Sequence, residues 1–518
     1  MLAVNAKYVH SSLSVWVIAE GIERYALSAH DVFVVEATIN QPVSEIVESV
    51  KAHEPDFIGI SSYIWSAGML PKLLLSLRKY LPDAVLVLGG PEASNNAEFW
   101  LEHGADFVLQ GEGEYSFPQF LDKLVDGYPV EHDSPIDPYT NEYLSALNGR
   151  LSYIETSRGC PFQCSFCLSA GSDVRYFPLD IVKAQIIKLS KSNTKTIKFV
   201  DRTFNCNTER ACELLEFVLS LDTACTFHFE VAADLFNERM LGLLKKAPSG
   251  RIQFEIGLQS FFEPALKAAS RKMDTQKAEQ NIRALLDMKN IHIHVDLIAG
   301  LPYETLADFM VSFDRTYMLN THTLQLGFLK LLHGSALREQ AEDYGIQYSS
   351  DPPYEITSNS WLSCDDLLIL KRAENALQHT RNKGRFLSTL DYVLGVTGER
   401  PFSLLHSIGS AIPNHGTQLE DYAVYLYGFF ATKPGVDSSA LIDHMIYDWL
   451  GMVKGKNAPA FMKNNDSRRA KVAAEGEKLL GRTLKREEYA VLFSGTGIFV
   501  DSNTLDPVTG LYQVHSCQ

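Results

Sequence analysis

The stretch SRGCPFQCSFC, Ser157 to Cys167, gathers three of the chain's eight cysteines into eight residues, spaced Cys160-x3-Cys164-x2-Cys167. Thiols crowded this way in a long chain otherwise poor in cysteine read as metal ligands sooner than as disulfides. A structural zinc site takes four ligands, usually from two well-separated cysteine pairs. The sequence offers no second pair, because Cys206, Cys212, Cys225, Cys364 and Cys517 are irregularly spaced and read as small buried hydrophobes or bystanders. Three thiolates on one short loop suit a [4Fe–4S] cube in which three irons are held by the protein and the fourth stays open to an outside ligand.

A loop of this kind needs a rigid support, and the flanking sequence supplies two βα series. From Met1 to about 128, β-rich runs (LAVNA, DVFVVEA, DFIGIS, AVLVLGG, DFVLQGEGE) alternate with amphipathic segments at 13–27, 43–53, 69–81, 95–103 and 115–125. Five strands each followed by a helix predict a parallel, doubly wound α/β sheet of the flavodoxin-like, Rossmann type. Small or polar residues (Ser61 and Ser62, then Gly89, Gly90 and Pro91, then Gly111, Glu112 and Gly113) fall at the carboxyl ends of its strands, where an open sheet leaves its ligand crevice. Glycine there lets backbone approach a bulky ligand, although glycine also simply makes tight turns.

Residues 129–150 are rich in Pro and Asp and lack periodicity, which suits a linker. A second series occupies 151–335, with strands at LSYIETS, TIKFVD, TFHFEVA, RIQFEIGLQ, IHIHVDLIAG and TLQLGFLKLL. Six such units predict a partial (β/α)6, TIM-like barrel whose chemistry sits at the carboxyl-terminal rim. Residues 336–518 change to a mainly α-helical pattern with aromatics such as Tyr422, Tyr425, Tyr427, Phe429 and Phe430, and this region is expected to close over the barrel mouth.

The bulk numbers narrow the class. The chain has 518 residues, enough for about three domains. With 47 basic and 63 acidic residues its formal charge is −16, which argues against a general nucleic-acid or anionic-membrane surface. No apolar run reaches membrane-spanning length, the amino terminus shows no signal-peptide pattern, and the cytoplasm is the expected compartment.

Cys160, Cys164, Phe166 and Cys167, directly after the first strand of the second series, resemble the Cys-x3-Cys-x-aromatic-Cys loop of the radical S-adenosylmethionine (SAM) superfamily. The resemblance implies that SAM chelates the open iron and is cleaved by one electron to methionine and a 5′-deoxyadenosyl radical. FVDRTFN resembles a second-strand motif of one branch of that family, making Asp201 a candidate partner for the methionyl ammonium. Glu230, Gln259, Arg271 and Asp296 resemble the SAM-contacting series of oxygen-independent coproporphyrinogen oxidase and its relatives. The domain ahead of the barrel, with GGPEAS and QGEGE after its fourth and fifth strands, is similar to the cobalamin-binding domain of cobalamin-dependent radical SAM enzymes. That implies Ser61 and Ser62 near the nucleotide-tail base, with Gly89, Gly90, Pro91, Gly111, Glu112 and Gly113 along the tail groove.

The first βα loop departs from the pattern, since NAKYVHSSL lacks the Asp-x-His-x-x-Gly that supplies a lower cobalt ligand. His10 therefore reads as a surface or helix-capping residue. The implied function is methylation of an unactivated carbon on a small-molecule substrate, driven by a reducing partner such as flavodoxin or ferredoxin. Ring closure, rearrangement or oxidation with the same cofactors is the alternative. A cobalamin or redox sensor is a third reading, disfavoured because a sensor has no need of the SAM series.

Overall fold

The computed structural model describes residues 1–123, 135–412, 417–463 and 466–517. In the first βα series, β1 (Leu2–Asn5), β2 (Val35–Thr38), β3 (Phe57–Ser61), β4 (Val85–Gly89) and β5 (Phe107–Val108) form a parallel sheet in the order β2-β1-β3-β4-β5. That is the doubly wound order, whose switch point lies between β1 and β3. Helices α1 (Leu13–Tyr25), α2 (Val43–Lys51), α3 (Leu70–Tyr80), α4 (Pro91–Ser94), α5 (Ala97–Glu102) and α6 (Gly113–Leu121) cover its faces. A Cβ on Gly21 of α1 would lie 2.4 Å from the Glu114 carbonyl oxygen, so only glycine lets α1 and the start of α6 approach this closely.

The expected linker lies partly outside the described residues. Its described part contains α7 (Asn141–Leu147), capped by the Thr140 side chain, with Tyr143 edge-on to Trp16 of α1. Arg150, just after it, makes a two-pronged pair with Glu36 of β2 at 2.9 and 3.1 Å. This segment is fastened to the first sheet.

The second series builds a six-stranded parallel sheet, in spatial order β13-β12-β11-β10-β9-β6. Its members are β6 (Ser152–Ile154), β9 (Thr196–Phe199), β10 (Thr226–Val231), β11 (Ile252–Gln259), β12 (Ile291–Ala299) and β13 (Thr323–Phe328). Between β6 and β9 the chain inserts a short antiparallel pair, β7 (Ser157–Cys160) with β8 (Ser172–Tyr176). Helices α8 (Leu179–Ser190), α9 (Thr208–Ser220), α10 (Glu238–Leu244), α11 (Glu263–Ala268), α12 (Thr275–Asp287) and α13 (Leu306–Tyr317) pack outside.

Burial alternates with period two along β10, β11 and β12. Phe227, Phe229, Ile252, Phe254, Ile256, Leu258, Ile293, Val295 and Leu297 are buried under the helices. The facing residues His228, Glu230, Glu255, Gln259, His294 and Asp296 stay half-exposed along the lumen. A closed eight-stranded barrel fills its interior with branched side chains; this open six-stranded one keeps polar groups and space.

Beyond the barrel come α14 (Ala336–Glu339), the strand pair β14 (Gln347–Tyr348) and β15 (Ile356–Ser358), and helices α15 (Cys364–His379), α16 (Leu387–Thr397), α17 (Pro401–Ala411), α18 (Leu419–Phe430) and α19 (Ser438–Met452). They lean on the barrel through α13, where Phe402 stacks edge-on against Phe313 and the Asp314 carboxylate accepts from Arg400 Nε at 2.6 Å and Phe402 N at 2.7 Å. Tyr422 and Phe430 are buried in this helical core.

The chain then adds α20 (Arg469–Leu480) and an antiparallel sheet of β16 (Tyr489–Val491), β17 (Gly497–Leu505) and β18 (Tyr512–Ser516), which helical periodicity had not suggested. The β17–β18 turn reaches the amino-terminal ends of the barrel strands. The Val508 carbonyl lies 2.7 Å from His292 Nδ1 at the start of β12. Within the region expected to close over the mouth, this hairpin seats against the barrel floor, while residues 330–362 and the first domain border the rim.

Two glycines of the helical region make a test of opposite signs. A Cβ on Gly409 of α17 would lie 1.9 Å from the Arg372 carbonyl oxygen of α15, whereas one on Gly428 of α18 meets nothing within 4 Å. Gly409→Ala is expected to lower stability by about 1–3 kcal/mol by forcing two helices apart. Gly428→Ala is expected to raise it by up to about 1 kcal/mol through helix propensity. Thermal unfolding of the two variants checks both.

Candidate functional site: the cysteine loop and the crevice beside it

The three cysteines lie where β6 delivers the chain to the carboxyl-terminal rim. Cys160 ends β7, with Cys164 and Cys167 in the turn that follows. The turn is fixed by backbone: Cys167 N donates to Cys164 O at 3.0 Å, Ser165 N to Ala269 O at 2.9 Å, and Leu337 N to Ser165 O at 2.8 Å. Cys160 and Cys164 are buried and Cys167 is partly so, and Phe166 packs against the barrel core. Burial, reinforced by the neighbouring Cys164 and Cys160 sulfurs, pushes the Cys167 thiol above its ordinary value against the Ser169 N–H and Arg202. Metal coordination resolves that crowding, because a coordinated thiol gives up its proton to the metal's charge.

Asp201, at the end of β9, holds the approach to this loop. Its carboxylate accepts from Thr156 N at 3.1 Å, from Thr156 Oγ1 at 2.7 Å and from Ser157 Oγ. It is 2 % exposed, so an ammonium contact of the expected kind would have to share oxygens already used to shape β7. Burial raises its pKa against those hydrogen bonds.

Arg271 and Gln259 converge on the same rim. Arg271 Nη1 lies 3.6 Å from Cys164 Sγ, its Nη2 donates to Gly257 O at 2.8 Å, and its Nε is buried without a partner. Gln259 stands at φ +70°, where β11 slips register against β12, and its Oε1 is likewise buried and unpartnered. A Cβ on Gly257 would sit 2.3 Å from Gln259 Nε2, so glycine at 257 is what lets that amide lie across the strand. These orphaned polar atoms beside Cys164 fit a polar ligand on the open side of a cluster. Glu230 faces the lumen nearby; burial pushes its carboxyl up to about 7, with Lys198 Nζ 3.8 Å away. Asp296 stands across from Gly257, two residues nearer the rim than the level of Glu230, its Oδ1 3.0 Å from His294 Nε2.

Beneath this rim, Glu304 of the GLPYE stretch is fully buried. Its Oε1 accepts from Ser260 Oγ at 2.5 Å and from Ser312 Oγ at 3.3 Å, while its Oε2 has no partner. Ser260 in turn accepts from Phe262 N at 2.8 Å and Ser312 from Phe261 N at 3.1 Å, fixing the chain directly after Gln259.

The crevice of the first domain opens toward the same loop. Ser62 N donates to Gly89 O at 2.7 Å, and its hydroxyl is buried and unpartnered. Ser61, the last residue of β3, lies beside it, and Gly89 ends β4. Gly90, at φ +100°, has no room for a Cβ against Ser62 O at 2.7 Å, and Pro91 then starts α4. Gly111, at φ +80°, faces open space, while Gly113 abuts Ile18. Tyr63 and Trp65 stack at 4.4 Å, and Trp65, its indole N–H tied to Val4 O, stays 44 % exposed. An orphaned hydroxyl, open glycine backbone and a flat aromatic shelf are what a large planar cofactor with a tail requires. His10 is used otherwise: its Nδ1 lies 2.5 Å from Tyr153 Oη on β6, and burial first, then Lys198 and Lys7, lower its pKa.

Sequence reading missed the side chain that joins the two halves. Arg158 of β7 reaches Glu155 at 2.6 Å, Glu114 at 2.8 Å and Glu112 at 2.8 Å, and Arg175 of β8 adds a 2.6 Å contact to Glu112. Although burial opposes both charges, the carboxylates keep Arg158 firmly protonated, and the two arginines hold Glu112 below the usual carboxylate range. Glu112, expected in the tail groove, is also the point where the first domain grips the cysteine hairpin. Only Glu155 is local to Arg158; no spacing announces that Glu112 and Glu114, over 40 residues away, complete the hub.

Comparison with known proteins agrees with this geometry. The B12 binding domain family matches residues 1–121, the Radical SAM superfamily residues 154–315, and a family described as a protein of unknown function (DUF4080) residues 342–490. The cobalamin-dependent radical SAM methyltransferase TokK of Streptomyces tokunonensis is 24 % identical over 375 residues, 64 % of this chain and 54 % of its own. The anaerobic magnesium-protoporphyrin IX monomethyl ester cyclase of Synechocystis sp. is 26 % identical over 296 residues, covering 50 % of this chain and 59 % of that protein. The chain thus spans little more than half the length of either relative. Among solved structures, the cobalamin-dependent S-adenosylmethionine radical enzyme OxsB, with aqua-cobalamin and S-adenosylmethionine bound, superposes with a TM-score of 0.57 at 13 % identity over 86 % of this chain and 78 % of that one, a likeness of fold. Among the described residues no helix is long and apolar enough to cross a membrane.

Glu304 gives a pH test of this support. Burial, against its two serine hydrogen bonds, pushes its carboxyl up to about 7 from 4.5. The folded protein therefore holds a proton that the unfolded chain releases, so this contribution is complete below about pH 4.5 and is lost as pH rises through about 7. Glu304→Gln, which keeps the acceptor oxygen, is expected to flatten the fall in stability between pH 5 and 8, by roughly 3 kcal/mol at most. Urea midpoints across that range for wild type and variant check it.

Proposed function

We propose that this chain, which belongs to the radical SAM superfamily and carries a B12-binding domain ahead of its barrel, methylates an unactivated carbon of a small-molecule substrate. The observation that carries the proposal is the junction itself: a three-cysteine loop with Arg271 and Gln259 exposing unpartnered atoms beside it, tied by Arg158 to the mouth of a cofactor crevice. Cys160, Cys164 and Cys167 would hold a [4Fe–4S] cluster, and Arg271, Gln259 and Glu230 would position SAM on its open iron. Ser61, Ser62, Gly89, Gly90, Pro91, Gly111 and Gly113 would line the cobalamin tail groove, and the exposed Trp65 would offer it an apolar surface. Bound together, these groups supply a 5′-deoxyadenosyl radical for hydrogen abstraction and a transferable methyl group.

The chain's own residues set distance and solvent access. Arg158, clamped by carboxylates from both domains, fixes the separation of the two cofactor sites, the variable to which radical transfer is most sensitive. Asp201 shapes the strand bearing Cys160. The buried Arg271 Nε and Gln259 Oε1 offer hydrogen bonds away from water, where they are stronger than in it. A one-electron donor such as flavodoxin or ferredoxin would supply the reductant. Ring closure with the same cofactors is the second reading, favoured by the likeness to a relative named as a cyclase.

Anaerobic reconstitution with iron and sulfide is expected to give about four irons per chain. Added cobalamin should shift the optical spectrum, and SAM with reductant should yield 5′-deoxyadenosine. Replacing Cys160, Cys164 and Cys167 by Ala should abolish the last. Arg158→Met should lower methylated product per 5′-deoxyadenosine several-fold. Zinc in place of iron, or no spectral response to SAM, would end this reading; a dehydrogenated or cyclised product without an added methyl group would move it to the second.

A further inference from the structure

In the barrel lumen, level with Glu230 and just above it, lies a set of donors that includes Asp296, a residue the sequence resemblance placed at SAM. Among the described residues, one trio of His, Cys, Asp and Glu donor atoms lies within 4.8 Å of one another: Glu255, His294 and Asp296. The sheet explains why they meet. His294 and Asp296 alternate along β12 and so share its lumen face, and Glu255 of β11 is the direct cross-strand partner of His294.

His294 Nε2 and Asp296 Oδ1 are 3.0 Å apart, an ion-pair distance, and both atoms are buried with no further partner. Nitrogen and oxygen ligands sit about 2.0–2.2 Å from a divalent transition ion, which places adjacent ligand atoms of one ion about 3 Å from each other. Glu255 is oriented as ligating carboxylates are: its Oε2 lies 3.1 Å from His228 Nε2 and 3.1 Å from Lys198 Nζ.

We propose that Glu255, His294 and Asp296 form a binding site for a first-row divalent transition ion, separate from the cysteine loop. One imidazole and two carboxylates suit Mn2+, Fe2+ or Zn2+ rather than a soft ion or an all-oxygen magnesium site. Three protein ligands leave coordination positions open to the lumen, where a carboxylate or carbonyl group of a bound molecule can attach.

The test uses the full-length protein under anaerobic conditions, with Mn2+ as probe and electron paramagnetic resonance as readout. About one Mn2+ per chain should bind, show hyperfine coupling to one imidazole nitrogen, and be displaced by Zn2+ but not by Mg2+, following the affinity order for such sites. His294→Gln and Asp296→Asn should each weaken binding at least about tenfold with unchanged thermal midpoints; the nitrogen coupling in the wild type carries the test should either variant fold poorly. Cys160→Ala should leave Mn2+ binding intact, so loss of the radical chemistry and loss of this site are separable. Absence of binding below about millimolar Mn2+ or Zn2+, binding without nitrogen coupling, affinity unaltered in both variants, or binding lost with Cys160 would each overturn the proposal.

Discussion

One guanidinium carries the architecture. Arg158 stands on the strand that ends in Cys160 and binds carboxylates from the residue after β6, from the β5–α6 turn and from the start of α6. Because these groups are only 10–28 % exposed, their attraction is weakly screened, and removing the cation would leave three acids facing each other in a poor solvent. Glu114 is in reach because Gly21 lets α1 close against the start of α6. Two domains that could otherwise pivot thereby present their ligand crevices to one another in a single geometry.

The barrel answers the same need in another way. Its outward-facing residues form a continuous apolar layer under the helices, so the strands gain their stability on one face. That frees the lumen from packing duty, and its half-exposed Lys198, His228, Glu230, Glu255, Gln259, His294 and Asp296 are arranged by charge and hydrogen bonding instead. The floor is closed by the β17–β18 hairpin at His292 and by Pro507 against Gly250, and the rim is bordered by the first domain and residues 330–362. Tyr354, in that segment, donates to the buried Glu92 of α4 at 2.5 Å, continuing the grip between the two halves.

The parts legible in the sequence were those set by local periodicity. Every strand of both parallel sheets overlaps its expected run, and all but β2, which runs one residue past it to Thr38, lie inside it, since alternation and flanking turn residues report on the chain a few positions at a time. The cysteine loop was equally readable from its spacing. What was missed depends on partners far apart in sequence: Arg158 with Glu112 and Glu114, Glu304 with Ser260, and the hairpin against His292, which lies over 200 residues away. The helix at 141–147 was hidden by its Pro-rich flanks. Asp201 was legible as important, but sequence could not show that its oxygens already serve Thr156 and Ser157. The lumen trio was half legible, because the alternation in IQFEIGLQ and IHIHVDLIA puts Glu255, His294 and Asp296 on one face without saying that they converge.

The rim at β11 shows why such a site needs so much support. Gln259 adopts a left-handed backbone that L-residues avoid, at a cost of order 1 kcal/mol or more, and such strain persists only where its surroundings over-determine it. Here they do. Gly257 clears space for the amide, Arg271 binds the Gly257 carbonyl, and Glu304 with Ser260 and Ser312 pins the next residues by hydrogen bonds to Phe261 N and Phe262 N. A relaxed strand would point residue 259 along the lumen wall and pair its amide there. The strained one instead leaves Gln259 Oε1 unpartnered, on the rim where Arg271 reaches Cys164. The fold thus holds hydrogen-bonding capacity in reserve for a ligand rather than satisfying it internally.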